Sequence, residues 1–184
     1  MKDLPTRTIA TVHANATLRY RGAPPDGRVR CALGRSGVVA AHAKREGDGA
    51  TPAGVWPLRR IWVRADRLAL PLLSGPSLSL PVHAIDPLLG WCDDPSSEDY
   101  NRPVRLPHPA SHERMWREDS GYDLVVELGY NDDPPILGRG SAIFLHLARP
   151  DFSPTEGCVA VELAVLLEIL AEGRLGDVVE VATA

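Results

Sequence analysis

The stretch Phe144-Leu145-His146, followed after eight residues by Thr155-Glu156-Gly157-Cys158-Val159, is the most informative part of this chain. It places a histidine at the end of an apolar strand, shortly before a cysteine that follows a glycine. A thiol attacks a carbonyl as the thiolate, so a catalytic cysteine needs a base within hydrogen-bond reach. A glycine beside it lets substrate approach the backbone closely. The pattern predicts Cys158 as a nucleophile, His146 as its base and Gly157 as part of the catalytic loop.

Three segments resemble the L,D-transpeptidase (YkuD-type) catalytic domain. That family carries a histidine followed by a Ser/Thr-His-Gly-Cys segment, which Thr155-Glu156-Gly157-Cys158 matches except for glutamate in place of histidine. Residues 47–54 resemble the family's upstream Thr-Pro-x-Gly element, and residues 140–146 resemble its histidine strand. The likeness runs from about Arg30 to the C-terminus.

The resemblance implies a mainly β, sandwich-like fold with one main C-terminal helix. It implies a cysteine acyltransferase that cross-links peptidoglycan stem peptides through a thioester acyl-enzyme, without metal or cofactor. In this mechanism His146 takes the thiol proton, and backbone N–H groups around Gly157 and Cys158 stabilise the oxyanion. In the family a backbone carbonyl orients the imidazole, so no third catalytic side chain is expected.

Departures from the family pattern concern the substrate more than the chemistry. The gap between the histidine and the cysteine is shorter than in the commonest members, which leaves a non-standard position on the stem open. Ala160 stands where arginine or asparagine is usual, so Arg139 or Arg149 is a candidate for pairing with a substrate carboxylate. Glu156 is expected to point outward, because a carboxylate facing the nucleophile would raise the thiol pKa. Alternatively, Glu156 binds the amine of a diaminopimelate-type acceptor.

Length and composition predict one soluble domain over residues 1–184. A net charge of −4, with no long run of lysine and arginine, argues against nucleic-acid binding. No segment approaches the roughly 20 apolar residues that span a bilayer, so no membrane span is expected. The 17 prolines and 16 glycines favour a β-rich fold with many loops. Oligomeric state does not follow from these data.

The N-terminal residues 1–7 lack the apolar segment of a secretory signal. Peptidoglycan lies outside the inner membrane, so the resemblance implies the cell envelope or periplasm. The lack of a signal in the sequence as written leaves the cytoplasm open as an alternative. A different start of the chain or an unconventional export route would reconcile the two.

Periodicity predicts most of the regular elements. Alternating apolar residues indicate a strand over 10–20, and further strands are expected over 55–63, 122–128, 141–147 and 177–182. A hairpin is expected over 28–43, around the turn Gly34-Arg35-Ser36-Gly37, after a turn at 24–27. Leucines at i, i+3, i+4 and i+7 predict a helix that stops at Gly173: Leu163, Leu166, Leu167 and Leu170.

Residues 71–117 are proline-rich and aperiodic, and they are predicted to form a long irregular lid over the site. Its polar and aromatic side chains, with others near the nucleophile, are predicted to bind substrate: Trp91, Tyr100, Asn101, His112, Arg139, Thr155 and Glu156. The acidic clusters at 93–95 and 131–134 are expected to be turns, with amine recognition as the alternative.

The sequence gives weaker evidence for a metal site and for roles of the other cysteines. One imaginable site for a divalent metal consists of His108, His112 and Glu113, together with His83 or Asp93. However, Pro109 disfavours one continuous helix through these residues, and no metalloprotease motif is present. We therefore expect no metal. Among the other cysteines, Cys31 is expected to be a buried strand residue, and the role of Cys92 stays open.

Three alternatives to cross-linking are compatible with the sequence. Water as the acceptor would make the protein an L,D-carboxypeptidase or amidase of the same fold. Sortase-like transpeptidation is weaker, because the Thr-Leu-x-Thr-Cys signature is absent. A non-catalytic peptidoglycan-binding module would use Trp91, Tyr100 and Trp116 as stacking surfaces.

Overall fold

The computed structural model describes residues 6–24, 27–69, 73 and 78–183. The predicted mainly β fold with one main C-terminal helix is confirmed. In chain order the elements are β1 (Thr8–His13), β2 (Thr17–Tyr20), β3 (Val29–Arg30), β4 (Val38–Ala40), β5 (Thr51–Val63), β6 (Val82–Ala84), β7 (Leu89–Cys92), β8 (Pro103–Arg105), β9 (His112–Arg114), β10 (Leu124–Leu128), β11 (Phe144–Leu147), β12 (Val159–Val161), α1 (Leu163–Ala171) and β13 (Val178–Val181).

The 13-residue strand β5 organises the larger sheet, whose main order is β12-β11-β10-β5-β13-β1-β2-β3. Its first half, Gly54 to Pro57, pairs antiparallel with β13, and its second half, from Leu58 to Val63, pairs antiparallel with β10. β4 and β6 pair in parallel with the two ends of β5. One strand therefore joins the N- and C-terminal strand pairs to the strands that carry the predicted nucleophile and base.

Helix α1 covers the core next to these strands. Its buried side chains are Val165, Leu166, Ile169 and Leu170, which share one apolar cluster with Leu145 and Val159. Burying each such side chain contributes about 1.5–3 kcal/mol. The helix ends before Gly173, whose N–H donates to Leu170 O at 2.9 Å. The predicted leucine spacing thus marks the face that holds β11 and β12 in place.

The predicted irregular lid is partly wrong, because much of it is a second sheet of order β8-β7-β9. Trp91 on β7 packs edge-on against Phe144 of β11, with ring centroids 4.9 Å apart, and also contacts Trp62. These strands have only three or four residues, too few to show a period in the sequence. Residues 71–72 and 74–77 of the predicted lid lie outside the described residues.

Two strand predictions are wrong in detail. The segment 10–20 forms two strands, because Ala16 turns at φ +59° and its N–H donates to His13 O at 3.0 Å. Segments 28–33 and 38–43 do not pair with each other: β3 pairs with β2, and β4 pairs with β5. Part of the predicted turn at 24–27, residues 25 and 26, lies outside the described residues.

No helix in the described part of the chain is long and apolar enough to cross a membrane. Cys31, Cys92 and Cys158 are all free and buried, and Cys31, in the main core cluster, is 1% exposed, as predicted.

Candidate active site

The loop that carries Cys158 is held by two threonine hydroxyls. Thr155 Oγ1 donates to Cys158 O at 2.7 Å and accepts from Gly157 N–H at 3.2 Å. From β5, Thr51 Oγ1 also contacts Cys158 O, at 3.4 Å, and accepts from Gly34 N–H at 2.9 Å. Since Thr51 belongs to the Thr-Pro-x-Gly element, that element and the cysteine segment are parts of one hydrogen-bonded unit.

A distant segment pairs with the same loop along its backbone. Ala32 and Ala160 exchange N–H···O bonds of 2.8 and 2.9 Å. Thr155 N–H donates to Leu33 O at 2.9 Å, and Arg35 N–H donates to Thr155 O at 2.8 Å. Residues 32–35 are therefore a clamp on the nucleophile loop. This pairing explains why they do not form the hairpin that their sequence predicts.

The Cys158 thiol is 7% exposed and contacts backbone on the β11 side. Sγ donates to Ala142 O at 3.1 Å and accepts from Phe144 N–H at 3.3 Å. Burial raises the pKa of this thiol to about 12, and the negative charge of Glu113 adds to the increase. The resting nucleophile is consequently a neutral thiol at neutral pH.

The His146 imidazole is oriented by backbone carbonyls, as in the family pattern. Its Nδ1 lies 3.2 Å from Gly121 O and 3.0 Å from Leu147 O. Both partners are acceptors, so the proton is assigned to Nδ1 and Nε2 is left as the base. Burial lowers the pKa of His146 to about 4, which keeps the ring neutral. In the described structure the thiol and the imidazole bond to backbone rather than to each other.

Cys158 and His146 line the same cavity, which has a volume of about 430 Å³. Its walls also carry carboxylates and guanidinium groups: Glu46, Asp93, Glu113, Asp119, Glu156, Arg117 and Arg149. A larger cavity of about 730 Å³ lies between β1, β2 and α1, and neither Cys158 nor His146 lines it. The smaller cavity is thus the one that contains the predicted nucleophile and base.

Three predicted substrate-binding residues lie away from this cavity and make contacts within the protein. Trp91, Tyr100 and Asn101 are 3%, 0% and 6% exposed, and none of them lines the cavity. Asn101 Oδ1 accepts from Trp91 Nε1 at 2.9 Å and from Ala142 N–H at 3.0 Å. Tyr100 Oη accepts from Gly140 N–H at 3.0 Å. These side chains fix the segment whose carbonyl, Ala142 O, meets the thiol.

His112 and Arg139 also lie away from the cavity. His112 Nδ1 contacts Ala110 O at 2.8 Å, and the Arg139 guanidinium donates to His42 O. Arg149 does line the cavity, and its side chain is 54% exposed. Of the two arginines considered for a substrate carboxylate, the structure brings only Arg149 to the site.

Thr155 and Glu156 do line the cavity, at its rim. The Glu156 side chain is 80% exposed and forms an ion pair with Arg35 of the clamp. This is the outward orientation that the sequence predicts. Its charge is directed to solvent and to a guanidinium, away from the buried thiol.

Residues that the sequence analysis did not assign to catalysis occupy the wall opposite this rim. Glu113 Oε1 accepts from Tyr122 Oη at 2.8 Å and from Arg117 Nη1 at 3.2 Å. The Tyr122 ring packs edge-on against the His146 ring, at 5.2 Å between centroids. Glu113 lies on the three-residue strand β9, so no sequence period could have identified it.

The alternative metal site receives no support. Among the described residues no group of three histidine, cysteine, aspartate or glutamate side chains is arranged to hold a metal ion. The His108 and His112 rings meet edge to face at 6.2 Å, and His108 Nε2 lies 3.1 Å from Asp99 Oδ2.

The model of the YkuD family, described as the L,D-transpeptidase catalytic domain, matches residues 3–181 of this sequence. This chain belongs to that family. The resemblance read from the cysteine and histidine segments is therefore confirmed, and the L,D-transpeptidase family acts on peptidoglycan. No curated protein matches the sequence.

Three solved L,D-transpeptidase structures are similar to it. An Ldtfm avibactam carbamoyl enzyme is 14% identical, with a TM-score of 0.44, and the match covers 98% of this chain and 50% of that one. Mycobacterium tuberculosis L,D-transpeptidase 3 with a faropenem-derived adduct is 15% identical, with a TM-score of 0.42 and coverage of 94% and 58%. Mycobacterium tuberculosis L,D-transpeptidase 1 is 14% identical, with a TM-score of 0.39 and coverage of 95% and 61%. The chain thus spans between half and three fifths of their length.

The neutral state of the thiol makes a prediction about alkylation. Since the pKa of Cys158 is raised to about 12, its reaction with iodoacetamide is expected to accelerate about tenfold per pH unit from pH 7 to 10. Peptide-resolved mass spectrometry separates Cys158 from Cys31 and Cys92. A rate that levels off below pH 8 would instead indicate a thiolate–imidazolium pair and contradict the neutral assignment.

Proposed function

We propose that this L,D-transpeptidase family member is a cysteine acyltransferase that cross-links peptidoglycan stem peptides in the cell envelope. Cys158 forms the thioester acyl-enzyme and His146 acts as its base. The observation that carries the proposal is the shared cavity, which is lined by a buried thiol and by an imidazole whose Nδ1 is held by backbone carbonyls, leaving Nε2 as the base. Such a pair, with the base oriented by a third group, is the arrangement that nucleophilic catalysis requires.

The first half-reaction begins when the thiol hydrogen leaves Ala142 O and is transferred to His146 Nε2. Sγ attacks the peptide carbonyl as the proton is taken, because the resting thiol is neutral. The Gly157 N–H already donates to Thr155 Oγ1, so the Cys158 N–H is the better candidate for the oxyanion. The imidazolium then protonates the leaving amine, and a D-amino acid departs from the stem.

The second half-reaction decides between cross-linking and hydrolysis. An amine of a second stem attacks the thioester to form the cross-link, whereas water would make the protein an L,D-carboxypeptidase. The carboxylates of the cavity favour a cationic acceptor over a neutral one. The position of the acyl carbonyl on the stem is the part of the proposal that product analysis must determine.

The rival hypothesis of a non-catalytic binding module is less favoured by the positions of its aromatic residues. It relied on stacking by Trp91 and Tyr100, which are buried in the protein core. The third aromatic residue, Trp116, is covered by the Arg64 guanidinium, which lies 3.4 Å from the ring centroid.

The test compares the native protein with Cys158→Ala after incubation with disaccharide-peptide muropeptides. An acyl adduct on the native protein alone, with dimeric products, is the expected result. Cys31→Ala is the matched control, since it removes another buried thiol outside the cavity and should retain the adduct. Monomers shortened by one residue would indicate hydrolysis. Unchanged muropeptides without an adduct would refute the assignment.

A further inference from the structure

Two carboxylates project from the small sheet toward the nucleophile. In the antiparallel pair β7–β9, Trp91 lies opposite Glu113, and Asp93 follows two residues after Trp91. Successive side chains of a strand alternate between its faces, so Asp93 and Glu113 are diagonal neighbours on one face. Trp91, on the same face, packs against Phe144 of β11. The sheet thereby fixes both carboxylates in the cavity wall.

Each carboxylate keeps an oxygen without a recorded partner. Both hydrogen bonds that Glu113 accepts, from Tyr122 and Arg117, go to Oε1, which leaves Oε2 unused among the described residues. Asp93 Oδ1 is buried and has no hydrogen-bond partner in the described part of the chain. A buried acceptor without a donor is costly, so Asp93 Oδ1 is ready to receive one. The Glu113 side chain is 30% exposed at the cavity wall, where its Oε2 is accessible to a ligand.

The nearby guanidinium groups compensate the negative charges of Asp93 and Glu113 only in part. Arg117 is the nearest cation, but its Nε and Nη2 are paired with Asp119 at 3.0 and 2.7 Å, and only Nη1 reaches Glu113. Arg149, the other guanidinium of the cavity, lies 4.0 Å from Asp119. His146, Cys158 and Tyr122 are neutral at physiological pH.

The electrostatics show that Glu113 is a stronger base than an ordinary glutamate. Burial raises its pKa, and the charge of Asp93 raises it further, while Tyr122 and Arg117 act in the opposite direction. The Glu113 charge in turn raises the pKa of Cys158. Glu113, Asp93 and Cys158 line one cavity, so the carboxylate acts on the same space as the thiol.

Aminolysis of a thioester needs more proton acceptors than His146 supplies. A primary amine is an ammonium ion at neutral pH, since its pKa is about 10. It must lose one proton before its lone pair can attack and a second as the amide forms. After acylation the neutral His146 Nε2 can take only one of these protons.

We propose that Glu113, assisted by Asp93, binds the ammonium group of the acyl acceptor and takes its first proton. The inference rests on the proposed function, because it assigns the acceptor side of that reaction. The free amine then attacks the thioester carbonyl, forming the N–C bond and breaking the C–S bond. His146 takes the second proton and delivers it to the departing Cys158 thiolate. Glu113 returns the first proton to solvent.

The experiment separates acylation from aminolysis in the Glu113→Gln variant. Glutamine keeps an oxygen for Tyr122 but has no basic carboxylate. Acylation by donor muropeptide is measured first by intact mass, and the acyl-enzyme is then given an amine acceptor at pH 7. One acceptor is a stem peptide with an ammonium group, and the other is hydroxylamine, which arrives uncharged. Glu118→Gln, an exposed carboxylate five residues away, is the matched control.

Glu113→Gln is expected to acylate at least as fast as the native protein, because loss of the Glu113 charge lowers the pKa of Cys158. It is expected to lose at least about tenfold in aminolysis by the ammonium acceptor. Aminolysis by hydroxylamine should stay near native, and the deficit with the ammonium acceptor should shrink as pH rises toward 10. Glu118→Gln should behave as native. Asp93→Asn, which breaks no recorded hydrogen bond, serves as a second variant if Glu113→Gln fails to acylate.

Equal losses with both amines, or no loss with either, would overturn the role of Glu113. If the native protein itself fails to acylate, the proposed function is refuted before the acceptor step is reached. Acylation followed only by hydrolysis in the native protein would retain Cys158 as the nucleophile and refute the acceptor role.

Discussion

Replacing His146 by asparagine is expected to slow acylation of Cys158 by about 10²- to 10⁴-fold while the fold stays intact. Asparagine can still donate to Gly121 O but has no basic nitrogen to take the thiol proton. The thiol, with its pKa near 12, cannot compensate by ionising at neutral pH. A time course of adduct formation by intact mass measures the effect.

His112→Asn is the matched control for this substitution. The His112 ring also contacts a backbone carbonyl through Nδ1, but it lies outside the cavity and should be dispensable for acylation. The native enzyme should keep its acylation rate down to about pH 5, because the pKa of His146 is lowered to about 4. An acid limb near pH 6.5, or native acylation by His146→Asn, would contradict the assignment of the base.

Gly157→Ala is expected to destabilise the protein by about 2 kcal/mol or more and to disorder the nucleophile loop. Gly157 has φ +143°, and an added Cβ would lie 2.9 Å from Ala50 O, a backbone atom that cannot move aside. The change thus combines backbone strain with overlap against the segment that leads into Thr51. Urea unfolding at unchanged m-value measures the loss.

Gly176→Ala provides the comparison that separates strain from overlap. Gly176 also has a positive φ, +91°, but an added Cβ would meet nothing within 4 Å. Its substitution should cost only about 1 kcal/mol and leave acylation unchanged. Equal losses at the two glycines would show that the contact with Ala50 is unimportant.

The sequence predicts those parts of the site whose residues lie close together along the chain. Cys158, Gly157 and His146 lie within thirteen residues, and their types are enough to predict a nucleophile and its base before any fold is known. The leucine spacing of α1 and the apolar run of β11 are equally local. In each case one short segment contains the complete signal.

What the sequence does not predict depends on partners far away along the chain. Residues 28–33 and 38–43 have the pattern of a hairpin. In the fold, however, residues 32–35 pair with Ala160 and Thr155, and residues 38–40 pair with β5. Tyr100 and Asn101 resemble cleft residues by type, but their polar atoms are used within the protein. Glu113 is a candidate for binding the acceptor amine only because the three-residue strand β9 places it in the cavity with Asp93 and the thiol.

The backbone clamp of residues 32–35 on the nucleophile loop has a consequence for synthesis of the chain. Arg35 and Glu156 are 121 positions apart. The loop therefore cannot adopt its final conformation until residues 32–35 have reached residues 155–160. Contacts of this span form late in folding. A nascent or truncated chain would carry the thiol and the imidazole without their alignment. The order of the loop around Cys158 is therefore coupled to completion of the whole fold.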